Sequence, residues 1–131
     1  MRLLLGANMM VTVGDKQIPV AQLKAGDNID TANGPAKVVS SERAGRLQVH
    51  RIRFTDPSYP PLVVGEPYLY YSTDKALRMS PGMVILSYRD NKELRIHEVK
   101  RVLEDCFEIH VWSHSVFVSP VESGSLLVRT L

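Results

Sequence analysis

The placement of glycine and proline constrains this chain most. Gly14-Asp15, Asn33-Gly34, Pro81-Gly82 and Asp90-Asn91 are tight-turn dipeptides. They cut the chain into short apolar runs with strand character and leave little room for packed helices. Arg46–Phe54 alternates polar and apolar residues over nine positions, with one slip near His50-Arg51. That is the pattern of a half-buried strand with Leu47, Val49 and either Ile52 or Phe54 inward. Further strands are expected over Met9–Val13, Ala36–Ser41, Leu77–Met79, Met83–Tyr88, Phe107–Trp112, Val116–Val118 and Leu126–Val128. Residues 18–27 read as one short helical turn stopped by Gly26. Leu94–Leu103 is ambiguous, because Val99, Val102 and Leu103 recur at helical spacing between strand-like flanks.

Residues 1–131 are the length of one domain and can bury about two-thirds of the unfolded surface. Sixteen Lys+Arg against 14 Asp+Glu leave a formal net charge of +2. That balance argues against an electrostatic nucleic-acid binder, and Arg43, Arg46, Arg51 and Arg53 read as solvated strand positions. The opening run Met1–Leu5 stops at Gly6, short of a signal sequence, and no run has the length of a membrane span. Cys106 is the single cysteine, so no intrachain disulfide forms. The expected location is the cytoplasm or a virion assembled there.

Three blocks run through the chain in one order. The first is Met10-Val11-Thr12-Val13-Gly14-Asp15, continued by Ile18-Pro19-Val20-Ala21-Gln22-Leu23-Lys24-Ala25-Gly26-Asp27. The second is Leu77-Arg78-Met79-Ser80-Pro81-Gly82-Met83-Val84-Ile85. The third is Phe107–Val118, closed by Gly124-Ser125-Leu126-Leu127-Val128-Arg129-Thr130. Together they resemble the Hint domains, the self-processing modules of inteins and hedgehog-type proteins. The second block is similar to the "L-R-V-T-P-G-H-P-V" of that family. The resemblance implies an all-β, pseudo-two-fold horseshoe of long antiparallel strands with little helix, as a single domain over 1–131.

The same resemblance implies that the chemistry is gone. Processing needs a hydroxyl or thiol at the domain's first position to attack the preceding carbonyl. The corresponding Leu4-Leu5-Gly6-Ala7-Asn8 holds none, and little chain precedes it. The family's Thr is Ser80 and its His is Met83, which cannot donate a proton to a scissile amide. His114 matches a histidine that assists the last cleavage, yet Arg129-Thr130 stands where the terminal Asn belongs. Ser80, Met83, His114, Arg129 and Thr130 are therefore family positions without a catalytic set.

The remaining polar residues point to no other chemistry. His110 and His114 would lie about 13 Å apart along a strand, too far to share an ion. With His50 and His97 elsewhere, no metal and no cofactor is expected. Cys106 reads as a small buried hydrophobe. Asp56–Tyr71 combines a proline-rich loop with four of the five tyrosines. Tyr59, Pro60, Pro61, Tyr68, Tyr70 and Tyr71 are the candidate binding residues, since tyrosine is enriched at interfaces and proline lowers the ordering cost. The expected partners are proteins of a larger assembly, or a second copy of the chain. The leading expectation is a non-catalytic structural part, such as a phage head, neck, tail or baseplate component. An adaptor module comes second and a residual autoprocessing element third.

Overall fold

The computed structural model describes residues 1–72 and 75–129. Its strands are β1 (Arg2–Gly6), β2 (Met10–Val13), β3 (Lys16–Pro19), β4 (Asn28–Thr31), β5 (Gly34–Phe54) and β6 (Leu62–Val64). They continue as β7 (Tyr68–Ser72), β8 (Lys75–Arg78), β9 (Val84–Ser87), β10 (Lys92–Val111), β11 (Val116–Ser119) and β12 (Leu126–Val128). Among the described residues the one helical element is a 3-10 turn at Val20–Gln22. It is shorter than the expected turn, because Leu23 is already extended at its exit. Each turn dipeptide of the sequence falls at a junction between strands. Gly14-Asp15 joins β2 to β3 and Asp90-Asn91 lies in the loop from β9 to β10, while the β4–β5 turn is Ala32-Asn33, with Gly34 already the first residue of β5.

The twelve strands form one hydrogen-bonded network, and β5 and β10 are its spine. They pair antiparallel from Ile96 opposite Phe54 to Val111 opposite Val38. One shift in register leaves Ala44 unpaired where Cys106 faces Gly45 and Phe107 faces Arg43, a bulge of the kind that twists a long ribbon. The two spine strands are served alike. The start of β5 pairs with β4 and the start of β10 with β9, each through a tight turn. Farther along, β6 flanks β5 at His50–Ile52 and β1 flanks β10 at Cys106–His110. This repeated pattern is the pseudo-two-fold architecture that the sequence blocks imply.

The core lies where the two sets of short strands close over the spine. Leu3, Leu5, Ile29, Ile52, Leu62, Leu94, Ile96, Ile109 and Leu126 are buried in one cluster. Each such side chain contributes about 1.5–3 kcal/mol on burial. In β1 and at the start of β10, inward residues alternate strictly, as in Leu3/Leu5 and Leu94/Ile96. In the middle of the spine the pattern relaxes. Arg46, Leu47 and Gln48 are exposed in succession, and Val49 is buried outside the main cluster. This explains the ambiguous Leu94–Leu103. It is strand, and its apolar residues fall off the period of two because a ribbon wetted on both faces imposes none.

Candidate functional site

The Leu77–Ile85 block leaves β8, turns, and enters β9. Pro81 and Gly82 occupy the centre of the turn, closed by Met83 N–H donating to Ser80 O at 3.2 Å. Gly82 takes φ +90°, which the second central position of a Pro-Gly type II turn requires. The turn is fastened to β10, since Gly82 N–H donates to Ile96 O and Ile96 N–H to Met83 O, both at 2.8 Å. The Arg95 guanidinium adds a bond to Gly82 O at 3.1 Å. Met83 is half-buried against the core, and its Sδ accepts from Ser80 N–H at 3.2 Å. The thioether therefore folds back onto the turn. Ser80 itself is exposed.

His114 and Arg129 lie elsewhere, in a cavity of about 580 Å³ that Met1, Thr31, Pro35 and Trp112 also line. Ser80 and Met83 do not line it, so the structure separates the family positions into two places. The cavity's hydroxyls are engaged. Thr31 Oγ1 donates to Gly34 O at 2.6 Å and accepts from Asn33 N–H, while Ser113 Oγ donates to Ser115 O at 3.0 Å. Arg129 reaches the Lys75 carbonyl through Nη1 at 3.4 Å. Thr130 lies outside the described residues. Leu4, Leu5 and Gly6 belong to β1, and Ala7 and Asn8 line a second cavity of about 370 Å³ instead.

The thiol does not serve either cavity. Cys106 is fully buried, its Sγ donates to Glu104 O at 3.1 Å, and burial pushes its pKa up. That is the environment of an inert structural cysteine. The histidines are dispersed as well. His50 Nδ1 sits 2.9 Å from the accepting Gly65 carbonyl, and His110 packs edge-on against Trp112 with ring centroids 4.8 Å apart. Burial and the neighbouring Arg2 charge hold the His110 pKa below its ordinary value. Among the described residues no group of three His, Cys, Asp or Glu is placed to hold a metal ion.

The tyrosine-rich segment divides in two, which corrects the expectation of one exposed docking loop. Tyr59 is 7% exposed. Its ring meets Phe54 edge-on at 5.5 Å, and its hydroxyl lies 3.2 Å from the buried Ser87 Oγ. Gly124 makes room for that hydroxyl, since a Cβ there would collide with it and with Ser119. Pro60 is exposed, while Pro61 is half-buried, and both line the second cavity. Tyr68 is half-buried beneath the Arg78 guanidinium, which lies 5.9 Å from its ring centroid. Tyr70 and Tyr71 line a groove of about 200 Å³, with Leu77, Leu86, Tyr88 and Leu127 among its other walls. Sequence reasoning missed Val84, Leu86 and Tyr88 at this groove. The signal was available: in Val84-Ile85-Leu86-Ser87-Tyr88 the residues of the outward parity are apolar.

Solved structures match this architecture along nearly its whole length. The chain superposes on the gp41-1 intein with a TM-score of 0.69 and 12% identity, covering 99% of each chain. An intein-like domain from Clostridium thermocellum gives 0.68 and 13%, again over 99% of each. The fold is that of the inteins. A DnaB intein from Synechocystis sp. gives 0.66 at 11% identity over the whole of both chains. Identities this low carry the fold and nothing finer. No family model matches the sequence, and no curated protein does.

Within the intein-like fold, the Pro81-Gly82 turn and the His114–Arg129 cavity are both formed by the secondary structure that the sequence blocks imply. Among the described residues, the lining of that cavity includes an imidazole, a guanidinium and two hydroxyls, and no thiol or carboxylate. It can bind or orient a polar group. Among its described walls the Thr31 and Ser113 hydroxyls donate to backbone carbonyls, not to the His114 imidazole.

Proposed function

We propose that this intein-like domain performs no processing chemistry and serves as a rigid, protein-binding part of a larger assembly. The observation that carries the reading is Met83. In the block that resembles the family's amide-protonating turn, the side chain is a thioether folded onto the backbone of Ser80. It has no proton to give. Two further features support the reading. Residues 1–8 contain no Cys, Ser or Thr, and the cysteine the chain does have is buried away from the cavity with a raised pKa. What remains is a stiff β scaffold, cross-braced by its spine, on which surface strands are held in fixed positions. A phage virion part is the narrower form of this reading, and it rests on economy: a small rigid module suits a repeated architectural role.

The test is a fusion. A soluble protein joined after Leu131 and another before Met1 should persist as a single species of unchanged intact mass through prolonged incubation with a thiol. Separation at either junction would overturn the reading and make the domain a working processing element.

A further inference from the structure

We propose that β9 is a docking edge that accepts an extended segment of a partner protein as an added strand, apolar at its centre and acidic at both ends. The inference rests on the reading of the chain as a partner-binding part, and it names the surface. Among the described residues β9 pairs with β10 alone and ends the strand order, as β8 does at the opposite end. These two ends of the order differ. β8 carries Lys75 and Arg78, and charge of that kind blunts an edge against pairing. β9 places Val84 and Leu86 at its exposed positions and has no charge of its own.

The backbone of β9 is turned the right way. Met83 O accepts from Ile96 on β10, whereas Tyr88 N–H points away from β10 and donates to Ser125 O at 2.8 Å. In an antiparallel ladder alternate residues face the same side. Val84 and Leu86 share the parity of Tyr88, so their N–H and C=O groups face off the sheet; Ser125 takes that side at Tyr88, and the open stretch runs over Val84–Leu86. Beside them lies the groove lined by Tyr71, Leu77, Leu86, Tyr88 and Leu127. Tyr71, Leu77, Val84, Leu86 and Tyr88 are all exposed large hydrophobics gathered around this one feature. Such clustering marks an interaction site where scattered apolar residues would not.

Charge selects the occupant. Arg95 stands opposite Val84 at one end of β9. Arg89 follows Tyr88 at the other end, and its Nη2 reaches Asp15 O at 3.3 Å. A guanidinium has five donors, so each retains capacity for a carboxylate. Glu93 lies opposite Leu86 on β10, one strand removed from the added strand, and its charge disfavours an acidic residue at the centre. The pattern fits a strand with acidic ends and a neutral, apolar centre. A second copy fits poorly. Antiparallel self-pairing of β9 brings Arg89 of one molecule against Arg95 of the other, setting like charges together.

The test uses the full chain and a synthetic peptide of alternating Val and Thr with two Glu at each end, followed by calorimetric titration. Saturable binding is expected. Exchanging the four Glu for Lys should weaken it about tenfold or more. Leu86→Pro removes one outward N–H from the edge and should abolish binding while the circular dichroism spectrum is kept. Should that variant unfold, N-methylation of alternate residues in the peptide tests the same hydrogen bonds without touching the protein, and should also abolish binding. The proposal is overturned by no binding at roughly 1 mM peptide, by equal binding of the Lys peptide, by binding that survives N-methylation, or by self-association that Leu86→Pro removes. The fusion experiment separates the two readings. Intact fusions without peptide binding sink the docking edge alone, whereas cleaved fusions sink the non-catalytic reading whatever the peptide does.

Discussion

Tyr59 and Tyr71 come from the same aromatic stretch of sequence and do opposite work. Tyr59 is sunk into the core, with Phe54 against its ring, Ser87 at its hydroxyl and Gly124 pared away to admit it. Tyr71 is 63% exposed at the end of β7 and forms one wall of the groove. The difference follows from what each backbone is tied to. Around Tyr59 the loop is fastened by local bonds: Asp56 Oδ1 accepts from the Ser58 N–H and hydroxyl, and Tyr59 N–H donates to Asp56 O. Lys92 then clamps Asp56 at 2.5 Å and lies 5.7 Å over the Tyr59 ring. The loop is a lid on the core. Tyr71 hangs from a hairpin that meets its inner neighbour β12 in a single register pair, Leu69 opposite Val128. A segment rich in proline and tyrosine can thus be fold at one end and surface at the other.

The comparison is most sharply tested by truncating the buried partner. Tyr59→Ala removes a core aromatic and leaves the Ser87 hydroxyl short of a neighbour, so it should cost about 3–5 kcal/mol in chemical denaturation. A loss under about 1 kcal/mol, within the range of ordinary surface changes, would show that the loop opens freely and that the lid is not part of the fold.

Most of the architecture was legible because tight turns are written in local chemistry. Asn33-Gly34 and Pro81-Gly82 need only local preferences to be recognised: Gly34 and Gly82 both take positive φ, Gly34 directly after the Ala32-Asn33 turn and Gly82 at the centre of its own. The elements that escaped notice depend on partners distant in sequence. β1 looks like a failed signal sequence until Leu3 and Leu5 are seen across from Ile109 and Phe107. β6 is three residues long and exists because His50–Ile52 and Leu5 flank it. The continuity of β5 between Ser41 and Arg46 was not read from the sequence, because it depends on β10: Gly45 pairs with Cys106 and the neighbouring Ala44 is absorbed as a bulge. Tyr59 was misplaced for a similar reason. Its cavity is made by Phe54, Ser87 and Gly124, and no local pattern announces a glycine that is 65 residues away leaving room for a phenol. The family positions show the opposite limit. Met83 and His114 were both legible as residues, but their separation into a turn and a cavity is a fact of tertiary structure.

A smaller effect should come from acid. The Lys92 ammonium and the Ser58 donors hold the Asp56 carboxyl down to about 2. Its folded pKa lies below the unfolded value of about 3.9, so its contribution is complete above that value and is lost as pH falls toward 2. The same contact raises the Lys92 pKa, so its share persists below the ordinary lysine value and fades as pH rises through the raised one. Thermal melts of the parent and Asp56→Asn should differ most near neutral pH and converge as pH falls toward 2. Parallel curves across that range would mean that the clamp does not form in solution, and the lid would then rest on the Tyr59 ring alone.

The smallest stability effect belongs to the other member of the pair. Tyr71→Ala deletes a ring that is mostly in water, so the unfolding free energy should stay within about 0.5 kcal/mol of the parent. The same change strips one wall from the groove beside β9 and should weaken binding of the Glu-flanked peptide severalfold, because an aromatic rim contributes contact area at low entropic cost. The two readouts must part company for the comparison to stand. If Tyr71→Ala destabilises the fold by more than about 1 kcal/mol, the ring is structural after all and the aromatic stretch is one lid from end to end. If stability and binding are both unchanged, Tyr71 is merely exposed, and any docking edge must hold its partner through Val84, Leu86 and the backbone between them.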